Sequence, residues 1–193
     1  MLGNDIIDIA LTKKSSDWTR SGWLDKICTL KEQEIILRSE DPFQMVWRIW
    51  SMKESAYKVS IQKGFEYAFN PSYFETQIFN NIIGEVSFGE LSAETETSIN
   101  KDYIHSVATI RYNGLPQIYT GIIVDPKILK LELLKQASLA YAVSFDDLEI
   151  RYTEERVPYI FNVKMQLHSP ISMSHHGNYG AYVFYKQDED ILQ

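Results

Sequence analysis

The chain has 193 residues, enough for one large domain or two small lobes with an adequate core, and its 45% hydrophobic and 23% charged residues are ordinary for a folded protein, although 12 Tyr, 9 Phe and 4 Trp make it aromatic-rich. A net charge of -7 argues against a general binder of nucleic acid or of an acidic membrane, both of which select basic surfaces. Cys28 stands alone, which excludes an intramolecular disulfide and a cysteine metal cluster and suits a reducing compartment.

The first ten residues, MLGNDIIDIA, carry acids where a signal peptide needs basic residues, and no later apolar run is long enough for a bilayer. A cytoplasmic protein with no membrane or nucleic-acid partner is expected. Leu2 to Ala10 alternates as a strand, with Asp5, Ile7 and Ile9 on one face and Ile6, Asp8 and Ala10 on the other. If both faces are covered, each acid needs a partner or a metal; otherwise Asp5 caps a turn or lies at an open edge. Thr12 to Arg38 is polar and helical in places, with Lys13, Lys14, Lys31 and Arg38 supplying local positive charge.

Asp41-Pro42-Phe43-Gln44 starts a helix, with Asp41 as cap and Pro42 in the first turn, and the helix runs to Lys63 with Gly64 as its stop. Phe43, Val46, Trp47, Trp50, Tyr57 and Ile61 form its apolar stripe, and Glu54 falls on that stripe. Lys58 follows Glu54 by four residues, a spacing that on most helices marks a surface ion pair. The place of Glu54 beside the aromatic stripe weakens that reading.

Tyr73 to Phe79, Ile82 to Phe88 and Tyr103 to Ile110 read as antiparallel strands, and Asn113 to Pro116 as the connector between two lobes. Ile118 to Val124 is a strand, Asp125-Pro126 opens a second helix through about Ala142, and Leu148 to Thr153 is another strand. Ile171, Met173 and His175 alternate with Ser172, Ser174 and His176, Gly177-Asn178 turns the chain, and Ala181 to Tyr185 returns. Asp102 to Ala108 faintly echoes Asn178 to Val183, a hint of two related lobes.

Asp5 and Glu54, with few His and no Cys cluster, are hard oxygen ligands that suit Mg²⁺ beside substrate phosphates. His175 with Ser172 and Ser174 can hold a phosphate, or His175 can simply be satisfied within a hairpin. Ser174 and His175, adjacent on a strand, point to opposite faces and make a poor nucleophilic pair.

Three segments carry a resemblance to the 4′-phosphopantetheinyl transferase superfamily. GNDIIDI resembles its Gly-x-Asp-Ile segment, WSMKESAYK its Trp-x-x-Lys-Glu-x-x-x-Lys helix, and SMSHHGNYGAYV its Ser-x-Ser-His segment; together they reach from Gly3 to Val183. The resemblance implies an α+β fold of two similar lobes, each an antiparallel sheet packed on a long helix, in a pseudo-dimer. The Ser-His segment comes last, as in the short trimeric members, while the length suits the two-lobed members. Residues 126 to 160 resemble the amino-terminal lobe of the two-lobed type and residues 3 to about 111 its carboxy-terminal lobe. A circularly permuted monomer is therefore expected, with lobes at 1–112 and 113–193.

The resemblance also assigns roles. Asp5 and Glu54 would hold Mg²⁺ on the pyrophosphate of coenzyme A, and Lys58 would offset charge there. His175, Ser174, Arg156 and Lys53 would contact coenzyme A. The acceptor would be a serine of an acyl or peptidyl carrier protein of fatty-acid or polyketide synthesis, which Lys13 and Lys14 would meet. The alternatives are a catalytically silent binder of coenzyme A or of a carrier protein, and a Mg²⁺ phosphohydrolase. Two departures from the family pattern stand out: Ile7 replaces a second acid, and Arg156-Val157-Pro158 replaces a Gly-Lys-Pro turn.

Overall fold

The structure, a computed structural model, describes residues 1–65, 68–110, 117–162, 164 and 167–186. The first half runs β1 (Leu2–Asp8), α1 (Ile9–Ser15), α2 (Trp23–Ile27), α3 (Leu30–Arg38), α4 (Pro42–Gln62), β2 (Glu75–Ile78), β3 (Ile83–Phe88), β4 (Leu91–Ile99) and β5 (Tyr103–Thr109). The second runs β6 (Ile118–Val124), α5 (Leu129–Tyr141), β7 (Leu148–Tyr152), β8 (Pro158–Asn162), β9 (Leu167–His176) and β10 (Tyr179–Tyr185). Two antiparallel five-stranded sheets result, ordered β1-β5-β4-β3-β2 and β6-β10-β9-β8-β7. Position by position the two orders are the same. Tyr103 and Tyr179, which begin β5 and β10, meet with ring centroids 5.5 Å apart, so the echo between those segments marks equivalent strands. The expected lobe boundary between 112 and 113, and the connector at 113–116, lie outside the described residues.

Local chemistry explains the helices. The Asp41 side chain accepts the Gln44 N–H at 3.0 Å and Pro42 occupies the first turn of α4. Gly64, at φ +86, takes the left-handed conformation that ends it. The buried arc of α4 is wider than the aromatic stripe and is centred on Ile49, Met52, Ala56 and Val59. The aromatic residues form its flank, where Trp47 and Trp50 pack on Trp23, and Trp50 and Tyr57 on Phe69. In the second half, a 3₁₀ turn at Pro126–Ile128 precedes α5, whose Leu129, Leu133, Ala137 and Tyr141 pack on Ile160, Ile171, Tyr182 and Phe184. Among the described residues no helix is long and apolar enough to cross a membrane.

β1 departs from a simple strand reading at its end. It stops at Asp8, whose carboxylate caps α1 by accepting the Leu11 N–H at 3.0 Å. Capping thus falls to Asp8 and not to Asp5. Gly3 lies where β1 touches α4: a Cβ there would collide with the Ser55 carbonyl oxygen and crowd Lys58. Replacing Gly3 by alanine should push β1 off α4 and cost on the order of 1–3 kcal/mol, read as a lower urea midpoint with an unchanged slope. A midpoint equal to the wild type would show that the two elements can separate freely.

Candidate active site

Asp5, Gly3 and Ile7 project from the α4-facing side of β1, which brings Asp5 next to Glu54 and Lys58. Lys58 Nζ lies 4.0 Å from Asp5 Oδ1 and donates to the Asn4 carbonyl at 2.6 Å and, at 3.4 Å, to that of Met173 on β9. One ammonium therefore touches both halves. Asp5 Oδ2 is buried and has no hydrogen-bond partner. Burial pushes the Asp5 carboxyl up to about 6, against the pull of Lys58. Glu54 is pushed up to about 7 by burial and then by the negative charge of Asp5, with Lys58 opposing.

An orphaned carboxylate oxygen beside a second carboxyl fits a divalent cation. Among the described residues no group of three or more His, Cys, Asp or Glu side chains is placed to hold a metal. Two protein carboxylates, with the remaining positions left to phosphate and water, are the donor set that Mg²⁺ takes at phosphate-bearing substrates.

The Ser-x-Ser-His segment divides between two faces. Ser172, Ser174 and His176 point at β1: Ser172 Oγ accepts the Asn4 N–H at 2.9 Å, Ser174 Oγ accepts Asn4 Nδ2 at 3.0 Å, and His176 Nδ1 accepts the Asp8 N–H at 2.9 Å. His175 faces the opposite way, into an open cleft of about 980 Å³ at the start of α5 that Lys127 and Lys130 also line. Ser174, expected at coenzyme A, is thus buried in the joint between halves. Lys127 and Lys130 were not singled out in the sequence; their signal is the Asp125-Pro126 helix start, which sets both at the cleft.

Arg156 lines a second cavity, of about 220 Å³, together with Lys58, Gln62, Ser172 and Met173. It sits in the turn between β7 and β8 at φ +64, the left-handed region that the glycine of a Gly-Lys-Pro turn would occupy without strain. Met173 borders both this cavity, which Arg156 and Lys58 line, and the larger cleft of His175.

Lys53 corrects an expectation. It is fully buried, and its ammonium is consumed by Glu32 at 2.7 Å and by the carbonyls of Ile27 at 2.8 Å and Pro71 at 3.0 Å. Glu32 in turn accepts the Thr29 and Thr76 N–H groups, each at 2.7 Å. Lys53 has no donor left for a ligand, and its role is to fix α4 against α3 and the segment before β2. The helical repeat alone could not show this, because it depends on Glu32 arriving from another helix.

The fold and the site define a two-sheet α+β protein with facing carboxylates, a bridging lysine and a basic cleft suited to phosphate chemistry. The chain belongs to the 4′-phosphopantetheinyl transferase superfamily, whose family model matches residues 1–108, the half that holds Asp5, Glu54 and Lys58. Comparison with curated proteins and with solved structures returns no match.

The carboxyl shifts set a pH dependence. Unfolded, both groups titrate near 4, so between about pH 4 and 7 the folded protein binds more protons than the unfolded chain. Their contribution to stability therefore declines as pH rises through that window. Chelator-treated wild type should lose stability relative to Asp5→Asn over this range in urea titrations, and Mg²⁺ should restore it above pH 7. A wild type that gains on the variant with rising pH would contradict the placement of Asp5.

Proposed function

We propose that the protein transfers 4′-phosphopantetheine from coenzyme A to a serine of an apo acyl or peptidyl carrier protein, with Mg²⁺, releasing 3′,5′-ADP. The observation that carries this reading is the bridge made by Lys58, which ties Asp5 to the Met173 carbonyl, two residues from His175 and its basic cleft. Asp5 and Glu54 would hold the cation, which when bound neutralises charge on the pyrophosphate. Lys58 and Arg156, which line the smaller cavity, would receive the pyrophosphate and pantetheine. Lys127, Lys130 and His175 would receive the nucleotide phosphates.

Without a cation beside it Glu54 is pushed up to about 7; the cation would lower that value, so Glu54 would act as a base through the carboxylate oxygen left free of it. Glu54, or a water beside the cation, would take the proton of the carrier serine as that oxygen bonds to the β-phosphorus of coenzyme A. The bond from this phosphorus to the bridging oxygen breaks, and its electron pair leaves with 3′,5′-ADP. Positioning and charge neutralisation supply the rate. The identical strand orders support a pseudo-dimeric reading; that the lobes span residues 1–112 and 113–193 and form a circularly permuted monomer is part of the proposal.

Incubation with coenzyme A, Mg²⁺ and a panel of apo carrier proteins should give a phosphopantetheine mass increase on a cognate carrier. Glu54→Gln should lower that rate by roughly 100-fold or more while the fold is kept. Coenzyme A binding with no mass increase on any carrier would replace this reading with that of a silent binder.

Lys13 and Lys14 close α1 just beyond the strand of Asp5, and Lys13 Nζ lies 5.3 Å from the Phe43 ring centroid. Reversing both charges should raise KM for an acidic carrier and weaken its salt dependence, with kcat retained. Unchanged kinetics over a salt series would remove these lysines from the docking surface.

A further inference from the structure

We infer that Asn4 is a positioning residue that sets the carboxylate half of the site against the nucleotide half, an inference that rests on the transferase reading above. Asn4 is fully buried on β1, directly before Asp5. Its N–H donates to Ser172 Oγ at 2.9 Å and its carbonyl accepts Lys58 Nζ at 2.6 Å. Its amide Nδ2 donates to Ser174 Oγ at 3.0 Å and faces His105 Nε2 at 3.4 Å. Burial and then the charge of Lys58 hold His105 down at about 4, so the ring is neutral and has a nitrogen lone pair to offer.

The backbone and the side chain of this one residue thus join three things: the strand of Asp5, the lysine that faces Asp5, and the two serines that flank Met173 just before His175. The amide has a cost. Asn4 Oδ1 is buried without a donor, a penalty that an apolar side chain would avoid. What the amide adds is a pair of N–H donors directed at Ser174 and His105. If Ser174 slides relative to Asn4, His175 slides relative to Asp5, and a ligand that reaches from one to the other loses its fit. A ligand confined to the His175 cleft does not register the slide.

Two ligands separate these cases. Coenzyme A would span both halves, whereas adenosine 3′-phosphate would occupy only the cleft of His175, Lys127 and Lys130. For Asn4→Ala, KM for coenzyme A should rise and kcat for carrier loading should fall, together costing roughly 10- to 100-fold in kcat/KM. Adenosine 3′-phosphate should bind as it does to the wild type. Ser174→Ala, which removes a single acceptor and leaves the β1 backbone bonds in place, should show a smaller change in the same direction, and it carries the test if Asn4→Ala does not fold. Retention of wild-type kinetics by the folded variants would overturn the inference, as would equal weakening of both ligands, which marks a merely structural role. A wild type that loads no carrier would overturn the transferase reading itself, and this inference with it, before any variant is compared.

Discussion

An edge strand leaves alternate backbone N–H and C=O groups without a sheet partner, and β1 is the edge strand on which the site is built. Its outward groups are met by side chains. Gln62 of α4 receives the Leu2 N–H at 3.1 Å and donates to the Leu2 carbonyl at 2.7 Å; Ser172 and His176 of β9 take the N–H groups of Asn4 and Asp8; Lys58 donates to the Asn4 carbonyl. The unpaired edge therefore specifies which faces of α4 and β9 it meets. Because Asp5 lies on that strand and His175 follows those serines, satisfying the edge also sets the separation between the two ends of the proposed site.

A second joint reinforces the first. Asp8 caps α1 and, through Oδ2, accepts the Asn178 N–H at 3.0 Å in the β9–β10 turn, and hydrogen bonds to backbone N–H groups help hold its carboxyl below the usual carboxylate range. Gly177 is required beside it, since a Cβ there would strike the Asp8 carboxylate and its φ of +57 already favours glycine. The two acids of β1 thus have opposite fates. Asp8 is satisfied by hydrogen bonds and stays ionised, whereas Asp5 is left with an orphaned oxygen and a raised pKa. Of the two, only Asp5 has a vacancy in its hydrogen bonding for a cation to fill.

Much of this was legible where local chemistry decides. The Asp41-Pro42 start, the Gly64 stop, the strand Ile118 to Val124 and the Gly177 turn follow from caps, prolines and glycines that act on their own neighbours. β4 was not legible, because its inward residues are Ala93, Thr95 and Thr97, small or polar side chains that hide the alternation. β8 was hidden by its opening Pro158, which argues against a strand when read from sequence. In the site, Asp5, Glu54 and Lys58 were legible as a motif. The sequence misplaces Lys53 and carries no signal for Asn4, because their contacts are with partners 21 and 170 residues away, which no periodicity reports.

Equal strand orders raise the question of why the molecule has this site once and not twice. With Tyr103 and Tyr179 as equivalent positions, the registers β1–β5 and β6–β10 place Gly121 where Asp5 stands in the first half. A side chain at Gly121 would run into the Tyr182 ring, so the second half has covered the position with an aromatic group in place of a carboxylate. The registers β4–β5 and β9–β10 likewise put Ile99 opposite the place of His175. Each half therefore lacks what the other supplies: the first holds the carboxylates without the histidine, the second the histidine without the carboxylates. Among the described residues the proposed set of groups comes together where β1 meets β9, so in that reading the hydrogen bonds along the edge bear on chemistry as well as on stability.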